Sequence, residues 1–133
     1  MKKLALLSAT MLLITTSCLK EGTNYVKYTG NINIDTLLVQ DTARLGDTVD
    51  ISVRGGAPNG CWSNLELMLT KENDSLVFLT GIGLFESRDG ICADIYQNID
   101  SVFSYKPADT GKIVFIGWSP GDRIVKDSLY VLP

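Results

Sequence analysis

The sequence predicts an all-β fold, a sandwich of about seven or eight strands around one core. From residue 32 onward, short runs rich in Val, Ile, Leu, Thr and aromatic residues are separated by Gly, Asp, Asn and Pro. This pattern is typical of strands joined by turns. No stretch keeps its apolar residues at a helical period over three turns, so no helix is predicted.

The first residues are typical of a secretory signal and stand apart from the fold. Lys2 and Lys3 precede an apolar run at residues 4–14, and small residues follow at 15–17. A run of about 11 apolar residues is shorter than the roughly 20 that cross a bilayer core, which argues against a permanent transmembrane helix. We therefore predict that residues 1–17 are a signal peptide.

Cys18 would be the first residue after cleavage. The stretch Ile14-Thr15-Thr16-Ser17-Cys18 resembles the lipobox of bacterial lipoproteins, although Thr15 stands where leucine is most usual. The resemblance implies a diacylglycerol thioether on Cys18 and an acylated amino group, with chains such as palmitate. Two or more acyl chains give stable membrane anchoring. The alternative is an ordinary secretory signal with a chance cysteine near its end.

The same resemblance implies a location in the cell envelope. Leu19 follows the cysteine, whereas an Asp there retains a lipoprotein at the inner membrane in the best-studied sorting rule. The outer membrane is therefore expected, with the periplasmic and surface-facing sides both left open. Residues 18–31 are polar and aperiodic and are predicted to be a lipidated tether. Residues 32–133 are predicted to be the β-sandwich domain.

Charge argues against a nucleic-acid partner. The chain has 12 Lys and Arg against 15 Asp and Glu, so removal of Lys2 and Lys3 leaves 10 against 15, a balance of −5. The basic residues are interspersed with the acidic ones, and a phosphate backbone requires a positive stripe. The expected partners are instead the membrane, through the N-terminal lipid, and an envelope protein or a glycan.

Cys61 and Cys92 are the cysteines that remain once Cys18 is assigned to lipid. The envelope outside the inner membrane is oxidising, which favours a disulfide between them. Two separate buried thiols are the alternative. The chain has no histidine and no CxxC pair, so neither a metal nor another cofactor is expected.

The strands follow in order between turn signals. In residues 48–54 the apolar Val49, Ile51 and Val53 alternate with polar residues, as in a strand with one wet face. Residues 55–60 are predicted to be a loop, and Gly81 and Gly83 to mark a bulge or bend. The other predicted strands are residues 32–39, 62–70, 75–85, 91–98, 101–105, 112–118 and 123–132. Trp118, which alternates with Ile116 and Val114, is predicted to lie in the core.

Two segments carry a resemblance to a known fold. "LGDTVDISV" is similar to the second strand of immunoglobulin-like sandwiches, and "YKPADTGKIVFIGWS" with "DSLYV" is similar to their last two strands. The resemblance implies an immunoglobulin-like antiparallel sandwich. Trp62 directly follows Cys61, unlike the spacing of antibody domains, so the cysteine pair could tie two loops instead of two sheets. The chain also resembles small Gram-negative envelope lipoproteins of unknown function.

No catalytic constellation is visible, and the chain is predicted not to be an enzyme. Without histidine, Ser-His-Asp and Cys-His sites are excluded. Carboxylates in turns more often form those turns than act as catalysts, and Asn73 with Asp74 lacks the ligand spacing of a calcium loop. The carboxylate pairs considered are Asp47 with Asp50 and Asp89 with Asp94.

The loop "GGAPNGCW" is the most distinctive local feature. Pro58, Asn59 and Trp62 form a candidate binding loop, with Trp62 as an aromatic anchor. The alternative is that Trp62 points into the core and the loop only connects strands. The predicted function is non-enzymatic binding or scaffolding, with inhibition of a hydrolase by this loop as the alternative. A hydrolase that uses carboxylates alone is a third, weaker hypothesis.

Overall fold

The computed structural model describes residues 24–133, so the predicted signal peptide and Cys18 lie outside the described residues. Within this range there is no helix, hence none with the length and hydropathy to cross a membrane. The strands are β1 (Tyr25–Leu38), β2 (Thr42–Arg44), β3 (Val49–Ala57), β4 (Trp62–Asn73), β5 (Leu76–Arg88), β6 (Gln97–Tyr105), β7 (Gly111–Ser119) and β8 (Arg123–Leu132). The all-β prediction is confirmed.

The strands form a β-sandwich of two unequal sheets that share β1. The larger sheet contains β4, β5, β7, β8 and β2, with the first half of β1 beside β5. The smaller sheet contains the second half of β1 with β3 and β6. Most neighbours are antiparallel, but β5 with β7 and β2 with β8 are parallel. Immunoglobulin sheets are antiparallel, and these two parallel pairs differ from that pattern. The immunoglobulin-like assignment within the β-sandwich class therefore stays a prediction.

β1 passes from one sheet to the other at a bulge. Its residues 25–32 pair with β5, its later residues pair with β3, and the register shifts between Ile34 and Thr36. Ser119, 1% exposed at the end of β7, accepts a 2.8 Å hydrogen bond from the Ile34 N–H and donates one of 3.1 Å to the Ile34 carbonyl. A side chain thus replaces a strand neighbour at the crossing point.

The core lies between the two sheets. The alternation predicted for β3 is confirmed, since Val49, Ile51 and Val53 are buried. On β4, Leu67 is buried and its neighbours Leu65 and Leu69 pack against the same core. The buried apolar residues are Ile32, Ile34, Leu37, Ala43, Val49, Ile51, Val53, Ala57, Leu67, Val77, Leu79, Tyr105, Ile113, Phe115, Leu129 and Val131.

Three predicted boundaries were wrong, and one strand was missed. β1 begins at Tyr25, so residues 25–31 belong to a strand and not to a tether, because β5 pairs with them. β3 continues through Ala57 into the predicted loop. Residues 91–96 are not a strand, and β6 starts at Gln97. The three-residue β2 was not predicted, since its pairing with β8 is a long-range contact.

One side-chain prediction also needs correction, and one backbone prediction is confirmed. On β7 the buried face carries Ile113 and Phe115, so Trp118 lies half-buried on the opposite face and not in the core. The irregularity predicted at Gly81 and Gly83 is confirmed at Gly83. The β1–β5 register is unbroken there, but the β4–β5 register shifts between Ser63 and Glu66, so two residues of β4 face Gly83 alone. A Cβ on Gly83 would lie 2.6 Å from Leu65 Cδ2, so glycine makes room there for packing.

Candidate functional site

A disulfide holds one end of the sandwich together. Cys61, just before β4, is bonded to Cys92 in the segment between β5 and β6, with the Cα atoms 5.2 Å apart. The Gly60 N–H donates to the Ala93 carbonyl at 2.8 Å, and the Glu86 N–H donates to the Cys61 carbonyl at 2.9 Å. The predicted disulfide is confirmed, and it ties two connecting segments at this end.

A row of aromatic side chains crosses three strands next to the disulfide. Tyr28 on β1 aligns with Phe85 on β5, which aligns with Trp62 on β4. Tyr28 stacks on Phe85 with ring centroids 4.9 Å apart, and Trp62 meets Phe85 edge to face at 5.4 Å. Aromatic pairs at these separations are favourable beyond their burial alone. The row extends the inner face of the larger sheet past the core.

The predicted binding loop is divided between two roles. Trp62 is half-buried and packs against the core, so it is not a free anchor. The Asn59 side chain accepts the Cys61 N–H at 3.1 Å, which gives Asn59 a structural role in the turn. Pro58 lines a cleft beside Trp62. The structure therefore brings Pro58 and Trp62 together in one candidate site, whereas Asn59 shapes the loop behind it.

This cleft is the candidate functional site. It has a volume of about 400 Å³, within the usual range for small-ligand pockets. Asn31 and Asn33 of β1 add amide groups that can both donate and accept hydrogen bonds. The lining residues are Tyr28, Gly30, Asn31, Ile32, Asn33, Pro58, Trp62, Trp118 and Pro120. We refer to it as the aromatic cleft.

A second depression, of about 430 Å³, lies on the outer face of the smaller sheet. It is lined by the exposed side chains of Leu38 and Val102 and by an ion pair, with Arg54 Nε 2.7 Å from Asp100 Oδ1. It contains no aromatic ring, and its charged groups already satisfy each other. Its slightly larger volume therefore does not make it the better candidate.

Tyr25 and Glu86 form a polar contact beside the aromatic row. The Tyr25 hydroxyl donates to a Glu86 carboxylate oxygen at 2.5 Å, and Lys27 Nζ lies 3.8 Å from the same carboxylate group. The hydrogen bond from Tyr25, followed by the charge of Lys27, lowers the pKa of Glu86. The Arg88 guanidinium lies 5.9 Å from the centre of the Tyr25 ring, within cation–π range.

Most of the acidic residues considered from the sequence have structural partners. Asp89 accepts the Asn24 N–H at 3.0 Å, and Asp47 accepts the Arg44 N–H at 3.0 Å. Asp50 accepts the Ser104 hydroxyl, and Asp74 lies 2.6 Å from Lys71. In residues 24–133 no group of three Asp, Glu, His or Cys side chains could hold a metal ion. These carboxylates therefore form turns and surface pairs.

Comparisons with known proteins do not assign the chain to a class. No family model matches it, and no curated protein or solved structure matches it either. The site must therefore be interpreted from its own chemistry.

Three of the aromatic side chains in or beside the aromatic cleft were not predicted from the sequence to belong to a site. Tyr28 fell in the predicted tether, and Trp118 was assigned to the core. Phe85 contacts Tyr28 and Trp62 only because β1 and β4 flank β5 in this register. The local signal that was available was the alternation of Val26, Tyr28 and Gly30 with polar residues ahead of the first predicted strand.

Proposed function

We propose that the chain is a lipid-anchored, non-enzymatic binding module of the bacterial cell envelope, and that the aromatic cleft binds a carbohydrate. The observation that carries the proposal is the combination of Tyr28, Trp62 and Trp118 with two asparagine amides in one cleft. A sugar ring presents C–H groups on its faces and hydroxyls at its edge. The C–H groups pack well on aromatic faces, because those faces carry partial negative charge. The hydroxyls can exchange hydrogen bonds with side-chain amides.

Anchoring rests on the lipobox-like stretch that ends at Cys18. Its test is metabolic labelling with palmitate, followed by fractionation of membranes. The wild-type chain should be labelled and sediment with the outer membrane, whereas Cys18→Ala should be unlabelled and remain in the periplasmic fraction. Labelling that persists in Cys18→Ala would contradict the proposed attachment point.

Carbohydrate binding can be measured through the two tryptophans of the cleft. Titration with maltoheptaose, cellohexaose and chitohexaose should change the intrinsic fluorescence in a saturable way for at least one of them. Asn31→Ala removes an exposed amide from the cleft and should weaken that binding about tenfold, because a buried ligand hydroxyl loses its partner. Asn98→Ala on β6 is the matched control and should bind like the wild type.

Two outcomes would reject the carbohydrate proposal. One is the absence of saturable binding to all three oligosaccharides. The other is that Asn31→Ala and Asn98→Ala weaken oligosaccharide binding equally, which would show that the loss of affinity does not arise in the cleft. The hydrolase-inhibitor alternative has weaker support, because Trp62 is packed and Asn59 is engaged within its own loop.

A further inference from the structure

We infer that the sandwich stands on the membrane in one orientation, with the end that carries Tyr25, Val26 and Ile91 inserted into the lipid surface. These three residues are called the N-terminal patch. The inference rests on the proposed lipidation of Cys18. It adds a second, non-covalent membrane contact made by the folded domain itself.

The patch surrounds the point at which the chain enters the fold. The Asp89 N–H donates to the Asn24 carbonyl at 2.8 Å, and the Asn24 N–H donates to the Asp89 carboxylate at 3.0 Å. Tyr25 pairs with Arg88, the last residue of β5, and the Ile91 N–H bonds to the Arg88 carbonyl at 3.3 Å. The chain from Cys18 must therefore arrive beside Ile91.

The chain between the lipid and the domain is short. Five residues separate Cys18 from Asn24, and six steps of extended chain reach about 20 Å at most. Part of that length crosses the headgroup region, which is several ångströms deep. The 13 residues of β5 span roughly 40 Å. The end of the domain that carries the patch is therefore held near the bilayer, and the opposite end cannot replace it.

The side chains at this end suit an interface. Ile91 is 81% exposed, Tyr25 is 48% exposed and Val26 is 46% exposed. Tyrosine is enriched at membrane interfaces because its ring is apolar and its hydroxyl is polar. Ile91 is adjacent to the disulfide-bonded Cys92, so its position is already ordered before it meets the lipid. An exposed isoleucine on an ordered loop is suited to insertion.

Charge indicates which lipids the patch would accept. The charged groups around it are Lys27, Arg88, Glu86, Asp89 and the loop residue Asp94. Two bases against three acids provide no attraction to anionic headgroups. Insertion should therefore occur on zwitterionic phosphatidylcholine and should change little with salt.

The test uses the full lipidated chain in phosphatidylcholine vesicles whose acyl chains carry bromine, a short-range quencher of tryptophan. Ile91→Trp places a reporter in the patch. Tyr130→Trp is the matched control, because Tyr130 is also exposed and pairs with Lys112 near the opposite end. After subtraction of the wild-type signal, brominated lipid should reduce the fluorescence of the residue-91 reporter several-fold and leave the residue-130 reporter unchanged.

Mass analysis of the same preparation separates the two proposals. A lipidated chain in which both reporters are quenched equally, or neither is quenched, would overturn the orientation and leave the lipid anchor intact. A chain without lipid would overturn both proposals. Quenching that disappears at high salt would also contradict apolar insertion. Quenching in Ile91→Trp that persists at high salt supports it, and since the vesicles contain no other protein, the contact must be with lipid.

Discussion

At the scale of single residues, Ser119 is the side chain on which the crossing of β1 depends. Its hydroxyl bonds both the N–H and the carbonyl of Ile34, at a buried position. Ser119→Ala would leave both backbone groups buried without that partner, which costs about 1–3 kcal/mol. We expect urea denaturation to show a loss of that size in the free energy of unfolding.

Ser104→Ala is the matched control for this prediction. Ser104 is exposed on β6 and its hydroxyl bonds Asp50 on the wet face of the smaller sheet. Exposed substitutions of this kind usually change the free energy of unfolding by less than about 0.5 kcal/mol. If the two alanine variants are equally stable, Ser119 does not support the crossing.

A second residue-scale prediction concerns the pKa of Glu86. Because the hydrogen bond from Tyr25 is the main cause that lowers it, Tyr25→Phe should raise this pKa toward its ordinary value of 4.5. The lowered pKa stabilises the folded state above the pKa of the unfolded chain, and this contribution is lost as pH falls through the folded value. Carbon-13 NMR titration of the Glu86 carboxyl measures the change.

Tyr28→Phe is the control for that titration. Tyr28 stacks on Phe85 and makes no hydrogen bond to Glu86. Its hydroxyl should therefore not influence the pKa of Glu86. A Glu86 pKa that is the same in the wild type and in Tyr25→Phe would show that the charges of Lys27 and Arg88, and not the Tyr25 hydroxyl, lower it.

At the scale of elements, the disulfide constrains the end that carries the aromatic cleft. The half-cystines are 31 positions apart, and a closed loop of that size contributes roughly 3–4 kcal/mol in the chain-entropy account. The double variant Cys61→Ala, Cys92→Ala should lose about that much in the free energy of unfolding. When the wild type is denatured by urea in the presence of a reducing agent, its free energy of unfolding should fall by the same amount.

Hydrogen exchange separates local from global effects of the same change. The amides of Gly60, Ile91 and Ile95 donate to backbone carbonyls in this region. They should exchange much faster in the double variant, because the disulfide no longer holds residues 91–96 next to the segment that contains Gly60. If these amides keep their protection while stability is also unchanged, the disulfide is not what orders the loop.

The sequence predicted those strands whose signal is local. β8 matches its predicted bounds, and β3 was predicted from strict alternation between its two faces. The first half of β1 was missed because it contains Lys27, Thr29 and Gly30 and is a strand only through pairing with β5. β2 has three residues and depends wholly on β8. Such pairings join positions far apart in the chain, and the short alternation at residues 26–30 is too weak to predict a strand by itself.

The candidate site was predictable only in part, because some of its residues have a local signal in the sequence and others meet only through strand pairing. Pro58, Trp62 and the cysteine pair stood out because they share one unusual stretch or form an even count. Trp118 was placed on the wrong face because both faces of β7 are apolar, and alternation cannot identify the inner face of such a strand. Tyr28 and Phe85 join the site only through the β1–β5–β4 register.

At the scale of the whole molecule, β1 makes the two sheets dependent on each other. The same strand provides a neighbour for β5 in the larger sheet and for β3 in the smaller sheet. Side chains of both sheets also share one core. Neither sheet can therefore open fully without removing a strand from the other.

This shared strand predicts a single cooperative unfolding transition. Native-state hydrogen exchange should give the same opening free energy, within about 0.5 kcal/mol, for the most protected amides of β3 and of β7. Ile51 and Phe115 are suitable reporters because each is fully buried, in the smaller and larger sheet respectively. Ser119→Ala should lower both values by the same amount. If β3 opens at a clearly lower free energy than β7, the sheets unfold separately and β1 does not couple them.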